Sequence, residues 1–198
     1  MQPYSRKIGI PFQYKIELPK EIFDFSDLKK ILLLKNDNSV YQSIKRLKKN
    51  GLISSLKNGR YFLSENKPED FLIANNIYSP SYISLETALN YYGILIQVPY
   101  TIFSVTTRKK NSFECLEREF EYLHISQSYF FDYIKERGFL IATPEKALID
   151  TIFFNALGKR KTDFDELVME NINKKRLHKL KGKIKNQAFH RFFEKLKI

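Results

Sequence analysis

The sequence predicts an α+β protein built in two parts, and three observations carry that prediction. A capped, periodic stretch followed by an Asn-Gly turn occupies residues 36–63. Runs rich in β-branched and aromatic residues occupy the middle of the chain, and the last forty residues repeat apolar positions at helical spacing on a basic background. Strands followed by helices, rather than regular alternation of the two, define the α+β class.

Taken in order, Pro19 limits any preceding helix to residues 10–18, from Ile10 to Leu18. Ile22, Phe23 and Phe25 read as a short strand, and Ser26 as the cap of a helix through Asp27, Leu28, Ile31 and Leu32. Asn36, Asp37, Asn38 and Ser39 form a second capping cluster, whose side-chain oxygens suit the orphan amides of a first turn. Val40, Ile44 and Leu47 then fall at i, i+4, i+7 and define one apolar face. The opposite face carries Gln42, Lys45 and Lys49, flanked by Tyr41, Arg46 and Lys48. Gly51 stops the helix, because the residue after a helix end commonly needs positive φ. Leu52 to Leu56 and Arg60 to Leu63 flank Asn58-Gly59, the strongest short-range hairpin signal, since a tight turn needs positive φ at both central positions.

Two helices followed by a two-stranded hairpin are the parts of a winged helix-turn-helix, in which the second helix enters a major groove and the wing touches the backbone. On that reading Ser39, Tyr41, Gln42, Lys45 and Arg46 face base edges, while Lys48, Lys49, Lys57, Asn58 and Arg60 meet phosphates. A single basic helix is more often only a solvated face. The ordered wing, the glycine stop and the basic wing residues Lys57 and Arg60 favour DNA. The sequence therefore divides into a DNA-binding domain over residues 1–66 and a second domain over 67–198, with 67–79 as connecting helix and linker.

The net charge of +12 is uneven: residues 1–67 carry +8, residues 68–158 carry −4 and residues 159–198 carry +8. Two basic ends around an acidic middle suit separate domains with separate partners, and the phosphate backbone fits the basic ends. An anionic membrane surface is the weaker alternative. One cysteine, Cys115, excludes an internal disulfide and a thiolate zinc site. No apolar run has the length of a signal peptide core or a membrane span, so a cytoplasmic protein without membrane partners is expected.

In the second part, Asn66-Lys67-Pro68-Glu69-Asp70 looks like a helix start before Phe71, Leu72 and Ile73. Ser84 reads as the cap of a helix through Leu85, Ala88 and Leu89, closed by Gly93. Tyr100 to Thr107 reads as a strand. Phe113 to Ile125 reads as mostly extended, with Phe120, Tyr122 and His124 alternating as in a half-buried strand. Thr143-Pro144-Glu145 starts a helix leading into Ala147, Leu148, Ile152 and Phe153. Leu177, Leu180, Ile184, Ala188, Phe192 and Leu196 mark a basic helical tail with a period near 3.6.

Three of these segments, SYISLETALNYYG (Ser81–Gly93), YTIFSVTTRK (Tyr100–Lys109) and ATPEKALIDTIFF (Ala142–Phe154), together resemble the AbiEi family of antitoxins, of the type IV abortive-infection class. The resemblance covers most of the chain, since members of that family also begin with a winged helix. Phe120, Tyr122, His124 and Ile125 match the family's F-x-Y-x-H-I strand, but Arg118 stands where the family's turn carries glycine. The resemblance implies a mixed α/β antitoxin domain after the winged helix. It also implies an autorepressor that binds inverted repeats in its own promoter as two copies on double-stranded DNA. The partner it implies is a nucleotidyltransferase-like toxin that the protein counteracts.

Catalytic chemistry finds little support. His178 and His190 sit in basic helical sequence, and His124 suits a structural hydrogen bond. Cys115 lacks an evident base. Glu114, Glu117, Glu119 and Glu121 raise the alternative of a metal nuclease, but on a strand they would line one exposed edge. No phosphate-binding glycine loop occurs. No catalytic residue, metal or cofactor is therefore expected. Two basic clusters, Arg108, Lys109 and Lys110 at a strand end and Lys174, Lys175, Arg176 and Lys179 in the tail, are candidates for an antitoxicity or partner surface. The remaining alternatives are a winged-helix module for protein or RNA, or a regulator outside any toxin–antitoxin pair.

Overall fold

A computed structural model describes residues 20–198, which form a mixed α+β structure with seven α-helices and two sheets among the described residues. The helix expected within residues 10–18 lies outside them. The chain divides between Glu69 and Asp70 into two compact units.

The first unit runs β1 (Ile22–Phe23), α1 (Phe25–Ile31), α2 (Asp37–Lys49), β2 (Ile53–Ser55) and β3 (Tyr61–Leu63). Its antiparallel sheet has the order β1-β3-β2. Here the structure corrects two expectations. The cap of α1 is Asp24, not Ser26: its carboxylate accepts the Asp27 amide at 3.0 Å, and the Asp27 carboxylate accepts the Asp24 amide at 3.1 Å. This reciprocal capping box satisfies two donors at once, where a serine two residues later would satisfy one. Phe25 consequently opens the helix and leaves the strand with two residues.

Val40, Ile44 and Leu47 of α2 are buried with Phe23, Leu28 and Ile53, the core of this unit. Burying each such side chain stabilises by about 1.5–3 kcal/mol. Asn36 caps α2 by accepting the Asn38 amide at 2.8 Å. Gly51 at φ +67° ends it, and the Leu52 amide reaches back to the Leu47 carbonyl at 3.0 Å. Asn58 and Gly59 hold φ of 56° and 68° in the hairpin turn. Arg60 donates its amide to Lys57 and accepts that of Leu56, so two residues of one strand face one of the other. That bulge sharpens the local twist.

The second unit is built on a six-stranded mixed sheet, ordered β6-β7-β5-β4-β9-β8. Its strands are β4 (Ser81–Ile83), β5 (Ile102–Thr106), β6 (Asn111–Cys115), β7 (Arg118–His124), β8 (Tyr133–Glu136) and β9 (Phe139–Ala142). All residues of β4 and β5 are buried, so both faces of these central strands are covered. The stretch expected to be mostly extended from Phe113 to Ile125 is a hairpin. It turns at Leu116 and Glu117, both at positive φ, and Cys115 pairs with Arg118. Arg118 therefore stands in a strand, past the turn. Phe120 and Tyr122 are buried, whereas His124 is exposed and hydrogen-bonds the Arg108 carbonyl at 2.8 Å.

Four helices complete the main body: α3 (Asp70–Ile77), α4 (Leu85–Tyr91), α5 (Pro144–Ala156) and α6 (Lys174–Lys181), with α7 (Gln187–Lys195) at the end. The stretch 67–79, read as a connecting helix and linker, contains α3, which packs on β4, β5 and β9. Its Ala74 carbonyl accepts the Tyr122 hydroxyl at 2.6 Å. Ser84 precedes α4, but its hydroxyl makes no cap; it donates to Asp150 at 2.8 Å instead. A buried carboxylate is the stronger acceptor, so the expected cap is overridden. In the tail, Gly182–Asn186 interrupts the helical run. After the break Phe189 and Phe193 point inward in place of the expected Ala188 and Phe192, because a loop resets helical phase.

Of the five buried side-chain atoms in this unit without a hydrogen-bond partner among the described residues, the largest hydroxyl-bearing group is Tyr92. The Tyr92 hydroxyl is enclosed without a hydrogen bond, and burial, reinforced by Glu136, pushes its phenol up to about 12. A folded value above the unfolded one, near 10, gives stability that is present below pH 10 and lost as pH rises toward 12. Tyr92→Phe removes the unsatisfied hydroxyl and should raise stability by about 1 kcal/mol at neutral pH. Its advantage should widen at pH 11. Urea midpoints at both pH values test this, and a variant no more stable than wild type at either would contradict it.

Candidate nucleic-acid interface

The first unit presents α2 with one side sunk in the core and the other turned outward. At 100° per residue, Lys45, Lys49, Gln42 and Arg46 project away from the Val40–Ile44–Leu47 stripe, and all four are exposed. Ser39 and Lys48 are exposed on the flanks of the same helix. Tyr41 is 61% exposed, yet its ring lies 4.7 Å from that of Phe25 and so also braces α1 against α2. The acid nearest this surface, Asp37, sits in the first turn and is paired with Lys29 of α1 at 2.6 Å. The outward face beyond it is cationic.

Lys57 and Asn58 are exposed at the hairpin tip. Arg60, expected to meet phosphate, is drawn elsewhere. Its guanidinium donates to Asp24 at 2.6 Å and is only one-third exposed, fastening the hairpin to the start of α1. The Asp27 amide and then Arg60 hold the Asp24 carboxyl below its ordinary range, against the opposing effect of burial. The reason for this pairing is topological. The order β1-β3-β2 brings Arg60, just before β3, beside Asp24, just after β1, a contact between residues 36 apart in sequence.

The second unit distributes its basic residues differently from the expected surface clusters. Arg108 stacks over the Tyr78 ring at 4.4 Å and donates to the Ser79 carbonyl at 3.2 Å. Lys110 pairs with Glu121 at 2.9 Å, while Lys109 is exposed. Arg176 donates to both carboxylate oxygens of Asp132 at 3.0 and 3.1 Å. Lys174, Lys175 and Lys179 are exposed on α6. Arg108 and Arg176 thus hold loops in place, because a planar guanidinium satisfies several acceptors or a ring where an ammonium does not.

The four glutamates considered for metal chemistry do not share one strand edge. Glu114 lies on β6, Glu117 in the turn, and Glu119 and Glu121 on β7. Glu119 accepts from Thr101 at 2.9 Å, and Glu121 is paired with Lys110. Among the described residues no group of three or more His, Cys, Asp or Glu is placed to hold a metal ion. No helix among them is long and apolar enough to cross a membrane.

No known family model matches the chain, and no curated protein matches it.

Proposed function

We propose that this chain is a winged-helix DNA-binding protein, with α2 as the helix that reads the major groove and the hairpin tip as the wing. The observation that carries the proposal is the exposed face of α2. Gln42, Lys45, Arg46 and Lys49 stand together there, opposite a face that is fully buried. The amide of Gln42 suits the edge of adenine, and the lysines suit phosphates. With Arg60 engaged by Asp24, the backbone contacts of this reading fall first to Lys48, Lys49, Lys57 and Asn58. The resemblance of Ser81–Gly93, Tyr100–Lys109 and Ala142–Phe154 to AbiEi antitoxins extends the proposal. It makes the chain an autorepressor of a type IV toxin–antitoxin operon, acting on inverted repeats and counteracting a nucleotidyltransferase-like toxin in the cytoplasm.

Fluorescence anisotropy with the chain's own upstream DNA, random DNA and RNA tests the DNA-binding step. Gln42→Ala should relax preference at one base position by about 1–3 kcal/mol. Lys57→Ala should weaken all duplexes alike and flatten the salt slope by about one unit. Equal affinity for the three nucleic acids would favour a general RNA- or protein-binding module instead. The antitoxin step is tested by co-expression: a nucleotidyltransferase-like protein encoded next to this chain should arrest growth alone and not together with it.

A further inference from the structure

Beside α6 the second unit has a concavity of about 480 Å³, lined by Lys175, Arg176, Lys179 and Lys183 together with Asp132 and Leu180. Its size lies within the range of small-ligand sites. We propose that it binds a compact ligand carrying two linked phosphates, of the nucleoside diphosphate class.

The cations of this hollow divide into one fixed group and three available ones. Arg176 is held by Asp132 at 3.0 Å and by Glu145 at 3.5 Å, and its side chain remains 45% exposed. Both anchors are themselves held. Thr143 donates to Asp132 at 2.6 Å, and Glu145 is buried and accepts the Asn173 amide at 3.0 Å. The guanidinium is thus aimed before any ligand arrives, which lowers the ordering cost of binding. Lys175, Lys179 and Lys183 follow at intervals of four residues. No carboxylate among the described residues pairs with them, while Lys183 rests over the Phe131 ring at 4.8 Å.

Lys175 and Lys179 lie one turn apart on α6 and Lys183 follows the helix end, and the three ammonium groups around one hollow repel one another. An anion placed among them relieves that repulsion and gains charge-assisted hydrogen bonds. Four cations against the carboxylates of Asp132 and Glu145 leave about two positive charges, and their placement around one hollow gives each of two linked phosphates its own cationic partner. The cations converge on one hollow instead of lying along a flat face. That favours a compact ligand over the extended backbone of a nucleic acid strand.

The test is calorimetric titration of the full chain with inorganic pyrophosphate and with ADP, using adenosine, sulfate and a short single-stranded RNA as comparisons. One saturable site for pyrophosphate and ADP is expected, with sulfate weaker by roughly tenfold or more and adenosine silent. ADP tighter than pyrophosphate assigns the source to a nucleotide; equal affinity assigns it to the free diphosphate. Lys179→Glu should weaken both by at least roughly tenfold, with circular dichroism confirming the fold. Lys183→Gln is a milder second variant. The double change Lys45→Glu, Lys49→Glu in the first unit should leave pyrophosphate binding unchanged, which separates this site from the proposed DNA interface. Binding no better than that of sulfate, binding insensitive to Lys179→Glu and Lys183→Gln, or a Lys179 dependence seen for RNA alone would each overturn the proposal.

Discussion

Asp150→Ala should destabilise the second unit by about 3–5 kcal/mol, the cost of leaving one charge of a buried pair uncompensated. Asp150 and Lys146 lie one turn apart on α5 and form an ion pair with both side chains fully buried. The same carboxylate accepts the hydroxyls of Tyr82 at 2.9 Å and Ser84 at 2.8 Å. The Lys146 ammonium also lies 5.0 Å from the Phe131 ring centre and 5.5 Å from that of Tyr82. Alanine therefore strands an ammonium and two hydroxyls in the core at once. Against a typical total of about 5–15 kcal/mol, that is a large fraction of the stability.

Burial already pushes the Lys146 amine down, and Asp150 opposes that shift. Without Asp150 the amine should fall further below its unfolded value. The folded variant then binds fewer protons than the unfolded one, so its stability should rise with pH up to the ordinary lysine range. The deficit of Asp150→Ala should thus shrink on going from pH 7 to pH 9. Replacing both partners, Lys146→Met with Asp150→Leu, should recover more than half of the loss, since apolar replacement of a buried pair is often near neutral. Urea unfolding monitored by circular dichroism measures all three effects. An Asp150→Ala deficit under about 1 kcal/mol would show that the pair does not hold the core.

Reversing two charges on α2, Lys45→Glu at the base edges with Lys49→Glu at the backbone, should reduce affinity for duplex DNA by more than about a hundredfold at moderate salt and lower the salt slope by at least about one. Both side chains are exposed and lie outside the core formed with Val40, Ile44 and Leu47, so the unfolding midpoint should change little. The contrast of lost binding with retained fold distinguishes a working surface from a merely solvated one. Anisotropy titrations at several salt concentrations are the measurement. Affinity within twofold of wild type would leave α2 with no place at the phosphates.

The first unit was largely legible because its signals are local. A capping asparagine, an apolar face at i, i+4, i+7, a glycine stop and an Asn-Gly turn each act within a few residues, and each appears in place. The pairing of Arg60 with Asp24 is not legible in the sequence, because the two lie 36 residues apart and meet only through sheet order. In the second unit β4, β8 and β9 carry no strand signal in the sequence. They are only three or four residues long, and β4 is buried on both faces, so no alternation marks it. In the tail a single helical phase fits the apolar spacing, and only the break at Gly182 shifts it.

Helix α5 sets the boundary most clearly. Its start at Thr143-Pro144 and its length follow from residues that touch their neighbours along the chain. The enclosure of ten successive residues, Glu145 to Phe154, follows from packing on every side. A Lys–Asp spacing of four ordinarily marks a wet helix surface. Here other elements surround α5 and exclude water from it, and that exclusion turns a surface pattern into a buried ion pair. The same holds for Arg176, basic in the linear chain yet committed to Asp132 44 residues away. Local dihedral and capping energies act over one turn and are written in composition. Which charge meets which depends on the path of the chain, and so appears only once the sheet is assembled.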